Sequence, residues 1–389
     1  MSGFEDDYFM NIAPVPSAEA GICRIVAEMD GERIKRADPH IGFMHKGIEK
    51  LAENCGLFQG LCLCGRLNYA FPVVWEHPYV LAAEKLCGVK IPDRAGYIRV
   101  LFAELCRIAS HFRALARCGA DCGTDAAFRV SDAVCAFVFG SFLRVCGTER
   151  PSAFFRVGGV GNDLPQGETD KIAAWITKEL PPLVRDIERL TIRNRIFQSR
   201  TEGVGAIAER DAEAAGMTGV NARASGSTFD LRRFEPYDAY GDLEFEIPVG
   251  TAGDAFTRCL LRVMEIRQSA LLVLQALSQM PAGEVLIPEM ELSVQKGDGS
   301  LEADACRFKL WSEGYPLPAG EVYAATEGPA GETGVYMASN GGCVPCRCHF
   351  RSAGFAHLQA AAKMLQGADL ADTGAVLSSL DILMPEIDR

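Results

Sequence analysis

Arg66 and Tyr69 stand three residues apart at the end of the run C-L-C-G-R-L-N-Y, between two segments of helical pattern. Arginine can hold a permanent positive charge beside a redox centre, and a tyrosine phenol can donate a hydrogen bond or a proton to a carbonyl oxygen. Taken alone, the pair is read in the plainer way, Arg66 tied to an acid and Tyr69 an interface aromatic. The other chemistry-bearing residues are less organised. Cys62 and Cys64 form C-x-C, and Cys343, Cys346 and Cys348 form C-x2-C-x-C followed by His349. Such thiolates chelate zinc or iron only as a set of four, which neither cluster supplies, so no metal site is expected. The six histidines, His40, His45, His77, His111, His349 and His357, include no H-E-x-x-H and no i, i+4 metal pair, and read as hydrogen-bonded structural residues. Gly158-Gly159-Val160-Gly161 lacks the spacing of a phosphate loop and reads as a tight turn after a strand. No G-x-S-x-G elbow is present.

The elements that must position these residues are a mixture. Gly21–Met29 followed by Asp30-Gly31 predicts a hairpin strand. Helical patterning starts near Gly47. Asp93 is placed to cap a helix whose apolar stripe is Tyr97, Leu101, Leu105, Ile108 and Phe112, with Arg99, Glu104, Arg107 and Arg113 largely outside it. Further helices are predicted over 128–146, 170–180 and 183–197, the last two separated by Pro181-Pro182, and from a cap at Asp254 to Met280. The stretch 283–305 reads as an irregular connection. Beyond it, 308–311, 320–327, 334–338 and 348–351 read as short strands, and 356–365 as a final helix. The fold class expected is α+β, a central helix bundle flanked by small N- and C-terminal β elements. Its division is a β-rich segment over 1–45, a helix bundle over 46–282 and an α+β segment over 283–389, forming one integrated unit.

Composition narrows the classes of function. The 389 residues carry a net charge of −12, which argues against a nucleic-acid partner. No apolar run approaches the roughly 18–20 residues of a membrane span. The acidic N-terminus, M-S-G-F-E-D-D-Y-F-M, has neither a signal core nor transit-peptide character. Fifteen cysteines scattered inside helical patterns, such as Cys87, Cys106, Cys135 and Cys259, read as small buried hydrophobes in a reducing compartment.

The words along the chain add a resemblance. Asp38–Glu49, Arg66–Tyr69 and Trp75–Ser110 resemble the 49 kDa (D) subunit family of NADH–quinone oxidoreductase, respiratory complex I. The likeness continues through F-R-V-G-G-V-G-N-D-L-P (155–165), N-R-I-F (194–197), M-T-G-V-N-A-R-A-S-G (217–226), D-L-R-R-F-E-P-Y (230–237) and F-E-I-P-V-G (245–250). It then runs through E-I-R-Q-S (265–269), E-G-Y-P-L-P-A-G-E-V-Y (313–323), G-F-A-H-L-Q (354–359) and the terminal I-D-R. These words are collinear over nearly the whole chain.

The resemblance implies the fold of the NiFe-hydrogenase large subunit. Only Cys62-x-Cys64 stands at the N-terminal metal position and no cysteine lies in Met384–Arg389, so the nickel site should be absent. It implies a proton-translocating NADH:quinone oxidoreductase of the respiratory chain, in which this chain binds no cofactor alone. NADH, quinone (ubiquinone type) and a 4Fe–4S cluster would belong to the complex, with the quinone headgroup held beside the terminal cluster of a partner. The implied partners are that cluster-bearing subunit, a 30 kDa-type subunit, a ferredoxin-like subunit and the quinone-channel membrane subunit. The implied location is peripheral on the inner membrane, on the mitochondrial matrix side or the bacterial cytoplasmic side. By resemblance, Tyr69 is the quinone hydrogen-bond and proton donor, and Arg66, Lys46 and His45 lie near the partner's cluster, Lys46 replacing an arginine.

Several positions depart from the family pattern. Pro16 and Ala20 stand where an early loop carries two histidines, and Gly161 where a histidine is frequent. C-G-A-D-C-G (118–123) replaces L-D-L-G, leaving Asp121 as a weak substitute for its carboxylate. Two alternatives follow: a scaffold subunit with weakened quinone chemistry, or a hydrogenase-like relative binding metal at Cys343, Cys346 and Cys348.

Overall fold

A computed structural model of the chain describes residues 8–12, 21–287 and 301–389. Pro16 and Ala20 lie outside the described residues. The architecture is α+β: helices form the bulk, with three small antiparallel sheets.

Tyr8–Ile12, Arg24–Asp30 and Arg33–His40 form a three-stranded meander. Alternation aims Ile25, Ala27 and Met29 at a minor core built with Leu358, Val376, Leu380 and Ile387 from the C-terminal helices. Gly320–Glu327, Glu332–Ser339 and Arg347–Arg351 form a second meander whose Val335, Met337 and Phe350 pack into the main core.

Two helices run through the middle, Asp93–Asp121 and Ala255–Gln279. Asp254 caps the second as expected, accepting from the Thr257 N–H at 2.8 Å. Asp93 does not cap the first. It is that helix's first residue, following extended Pro92, and its charge sits in the first turn.

Four other expectations change. Pro181-Pro182 does not break the helix into separate pieces. A π-helical turn over Trp175–Glu179, with the Leu180 N–H bonded to Trp175 O, lets the chain run on into Leu180–Leu190. Residues 308–311 are not a strand but belong to the helix Leu301–Glu313, because a short apolar window hid a run of helix formers with a Lys309–Glu313 pair at i, i+4. Of the stretch 283–305, residues 301–305 are helical and 288–300 lie outside the described residues. The helix expected over 356–365 starts at Ala353, under a Ser352 cap, and is followed by Thr373–Leu380 and Met384–Asp388.

The glycine run makes the predicted turn: Phe155–Arg156 pairs with Gly159–Val160. Gly159 sits at φ +149°, where an added Cβ would lie 2.1 Å from Val285 O.

The centre also holds buried charge. Arg223 meets Glu265 and Glu327 at 2.7 Å each, Arg232 meets Asp230 at 2.8 Å and Glu104 at 3.1 Å, and Arg107 meets Glu104 at 3.2 Å. His111 bonds Glu265 at 2.9 Å and the Tyr240 hydroxyl bonds Glu104 at 2.6 Å. Arg99, Glu104 and Arg107 thus leave the apolar stripe without leaving the interior. Every member is paired, as burial of charge requires.

Candidate functional site: the cavity beside Tyr69

The helix Leu57–Cys64 ends in a turn closed by Arg66 N–H to Leu63 O (2.9 Å) and Leu67 N–H to Cys64 O (3.0 Å). Leu67 plugs into the core, and the Asn68 side chain accepts from the Phe71 N–H at 3.0 Å. These two anchors turn Tyr69 outward, 47% exposed.

Lys46 approaches from just before the short helix Ile48–Ala52, after which Gly47 takes a left-handed φ of 63°. Its ammonium donates to the Tyr69 hydroxyl and, at 3.3 Å, to the backbone oxygen of Arg66. Because an ammonium can only donate, the phenol oxygen accepts, and the phenol proton is left to point elsewhere. The Arg66 guanidinium is exposed and has no ion-pair partner among the described residues. His45 does not join the group. Its Nδ1 lies 2.6 Å from Asp388 O, while the Asp388 carboxylate accepts from the N–H groups of Gly42 and Met44 at 2.7 Å each. Thus Lys46 and Tyr69 meet side chain to side chain, Arg66 joins through its backbone, and His45 is tied to the C-terminal helix.

A cavity of about 190 Å³ opens beside Tyr69, with Asn68, Phe71, Ser110, Arg113, Arg117 and Arg150 in its walls. It takes a small ring rather than a large ligand. Arg117 pairs with Asp381 and keeps a buried Nε–H with no acceptor. The Arg150 guanidinium lies 5.0 Å from the Phe139 ring, which stacks on Phe71. These wall arginines were missed from the sequence. The available signal was the spacing of Ser110, Arg113 and Arg117, which puts them on one helix face. A space of about 40 Å³, lined by Asp121, Ser378 and Asp381, shares Gly21 and Arg117 with this cavity. Burial raises the Asp121 carboxyl above its ordinary range, against a bond from Ser378.

At Gly161 a Cβ would lie 3.1 Å from Arg156 Nε, so the missing side chain leaves room for that guanidinium. A larger cleft of about 700 Å³ lies elsewhere, walled by Lys85, Lys90, Tyr97 and Asp242, and holds none of the expected site residues. Cys343, Cys346 and Cys348 do not converge: Cys348 is buried while Cys346 is exposed and bonds Ala338 O at 3.3 Å. Among the described residues no three His, Cys, Asp or Glu side chains have a metal-holding arrangement, and no helix is long and apolar enough to cross a membrane.

Residues 121–389 match the family profile described as "Respiratory-chain NADH dehydrogenase, 49 Kd subunit". A protein of Acidiphilium cryptum, named as the D subunit of NADH-quinone oxidoreductase, is 40% identical over 99% of this chain and 95% of its own length. A D subunit of the same oxidoreductase from Rhizobium meliloti is 42% identical over 98% of each chain. A third, from a Wolbachia of Brugia malayi, is 42% identical, also over 98% of each. The collinear words and these matches agree: the chain belongs to the 49 kDa subunit family of the respiratory-chain NADH dehydrogenase.

Proposed function

We propose that this chain is the quinone-site subunit of a proton-translocating NADH–quinone oxidoreductase, with the headgroup received in the cavity beside Tyr69. The observation that carries the reading is the Lys46–Tyr69 contact. The lysine fixes the phenol with its oxygen as acceptor, so the phenol proton is available to a quinone carbonyl oxygen. The cavity's arginines favour the negative charge that develops on that oxygen as electrons arrive. A 4Fe–4S cluster of the partner subunit would supply the electrons, and Arg66 and Lys46 would hold positive charge near it. Asp121, whose carboxyl burial pushes above its ordinary range, lines the small space that shares Arg117 with this cavity. The chain sits peripherally on the inner membrane, bound to the cluster-bearing, 30 kDa-type, ferredoxin-like and quinone-channel subunits, and reduction of quinone drives proton translocation in the membrane arm.

Tyr69→Phe in the assembled complex tests this. NADH–quinone turnover falls about 10²–10⁴-fold, the range for loss of a positioned acid, while reduction of an artificial acceptor is kept. Unchanged quinone turnover removes Tyr69 from the reaction. The absence of titratable histidines at Pro16 and Ala20 favours a second reading, a scaffold subunit with weakened quinone chemistry. Inhibitor-sensitive quinone reduction at an ordinary rate by the purified complex sinks it.

A further inference from the structure

Arg150 is exposed and stands in the wall of the cavity beside Tyr69. Among the described residues its side chain has neither a hydrogen-bond acceptor nor a carboxylate partner. Its guanidinium lies 5.0 Å from the centre of the Phe139 ring, and Phe139 stacks at 5.7 Å on Phe71, which lines the same cavity. A ring face attracts the cation but offers its N–H groups no lone pair, so those donors are left to water or to a ligand. The other two guanidiniums of the wall are engaged within the chain. Arg117 pairs with Asp381, and Arg113 donates from Nη1 to Cys135 Sγ at 3.7 Å.

None of the described residues lining this cavity is acidic. The chain as a whole carries a net charge of −12, so three arginines and no acid in one small wall run against the overall sign. Low-dielectric walls of one sign focus the field inside a cleft. Here those walls are Leu67, Ala70, Leu383 and Pro385, which also suit the faces of a flat ring.

We infer that Arg150 is a ligand-binding residue of this cavity, and that it makes the site prefer a ring bearing an ionised oxygen, a carboxylate or an ionised hydroxyl, over its neutral isostere. The inference rests on the reading of the cavity as a quinone site and names the class of quinone that the site favours. Tyr69 takes one oxygen of the ligand and Arg150 another. A cavity of about 190 Å³ holds one small ring, so an occupant touches several walls at once. A guanidinium stacks by its face and donates from its edge, so the Phe139 contact and the ligand contact are compatible. Its fork meets both oxygens of a carboxylate through charge-assisted hydrogen bonds. A carboxamide of the same shape offers one neutral acceptor, and its own N–H donors face those of Arg150.

The test uses the purified complex containing the full chain and two redox-inert probes of one shape, 2-naphthoate and 2-naphthamide. At pH 7 the first is an anion, since carboxyls ionise near about 4, and the second is neutral. Binding is measured by calorimetry without NADH, with inhibition of NADH–quinone turnover measured beside it. The acid is expected to bind about tenfold tighter than the amide, the gain of a charge-assisted over a neutral hydrogen bond. Arg150→Met brings the two within about twofold, while Arg150→Lys, keeping the charge without the fork, retains a preference of about threefold. Arg150 lies outside the core, so both variants fold, and reduction of an artificial acceptor checks that the complex is intact. Failure of the acid to bind, equal binding of acid and amide, or a preference that survives Arg150→Met overturns the proposal. The binding arm needs no turnover, so it is decided separately from the quinone reading: a Tyr69→Phe complex with unchanged quinone turnover removes Tyr69 and leaves the Arg150 result standing.

Discussion

Two sets of buried arginines lie along the same central helices and are neutralised in different ways. Arg107, Arg223 and Arg232 are interleaved with Glu104, Asp230, Glu265 and Glu327, so each guanidinium finds a carboxylate within about one hydrogen-bond length. Arg258 and Arg262, equally buried, bond only backbone carbonyls and the Ser379 hydroxyl among the described residues. The first set is a rigid lattice of charge that fixes how the Asp93–Asp121 and Ala255–Gln279 helices face the C-terminal sheet. The second is an incomplete one, with three guanidinium nitrogens left without an acceptor among the described residues. Burial of a cation therefore does not specify the chemistry of its partner, which is a carboxylate in one set and a neutral oxygen in the other.

The sharpest way to break this contrast is Glu265→Gln. It strips the counter-charge from Arg223 and the acceptor of His111, and costs about 3–5 kcal/mol, as for one half of a buried pair. Thermal denaturation of the complex reads this as loss of the subunit at lower temperature. A loss below about 1 kcal/mol would mean that the lattice is redundant. Arg262→Leu has the opposite expectation. Removing a buried cation with two unbonded nitrogens shifts stability by less than about 1 kcal/mol, read by the same thermal denaturation.

The smallest effect is a pH dependence. His357 is held near 3 by burial, with Arg262 and Arg351 adding repulsion, so the native imidazole stays neutral. Its folded value lies below the unfolded one of about 6.5, so its contribution is present above that pH and fades as pH falls from there towards 3. Glu386 is raised to about 7 by burial, against bonds from Trp75 and Ser352, and its contribution is full below about 4.5 and lost as pH rises to about 7. His357→Asn should flatten the acid limb of a stability–pH curve and Glu386→Gln the limb above it. Unchanged limbs in both variants would refute these assignments.

Much of the fold is legible in the sequence where the signal is local. The Asp254 cap, the hairpin at Asp30-Gly31 and the three C-terminal strands follow from cap chemistry, turn residues and alternation. The collinear family words mark Arg66, Tyr69 and Lys46. What fails is local signal overridden by context. The proline pair is absorbed by a wider turn, and a four-residue apolar window cannot separate strand from helix. Long-range meetings leave no local trace. Lys46 reaches Tyr69 only because the intervening short helices double back, and Cys118 and Cys259 lie 141 positions apart. His45, marked by the same resemblance, meets the backbone oxygen of Asp388, a contact 343 positions away that no local pattern announces.

The π turn at Trp175–Glu179 holds one residue more than an α-helical turn needs. Deleting one residue there would restore α-helical winding and rotate everything downstream by about 100°, the angle per residue of a 3.6-fold helix. Val184 and Ile187 would swing out of the core, and Glu188 would leave Arg267. The turn therefore acts as a phase adjuster, setting the rotational register of Leu180–Leu190 against the main core, and its length is under tighter constraint than its sequence.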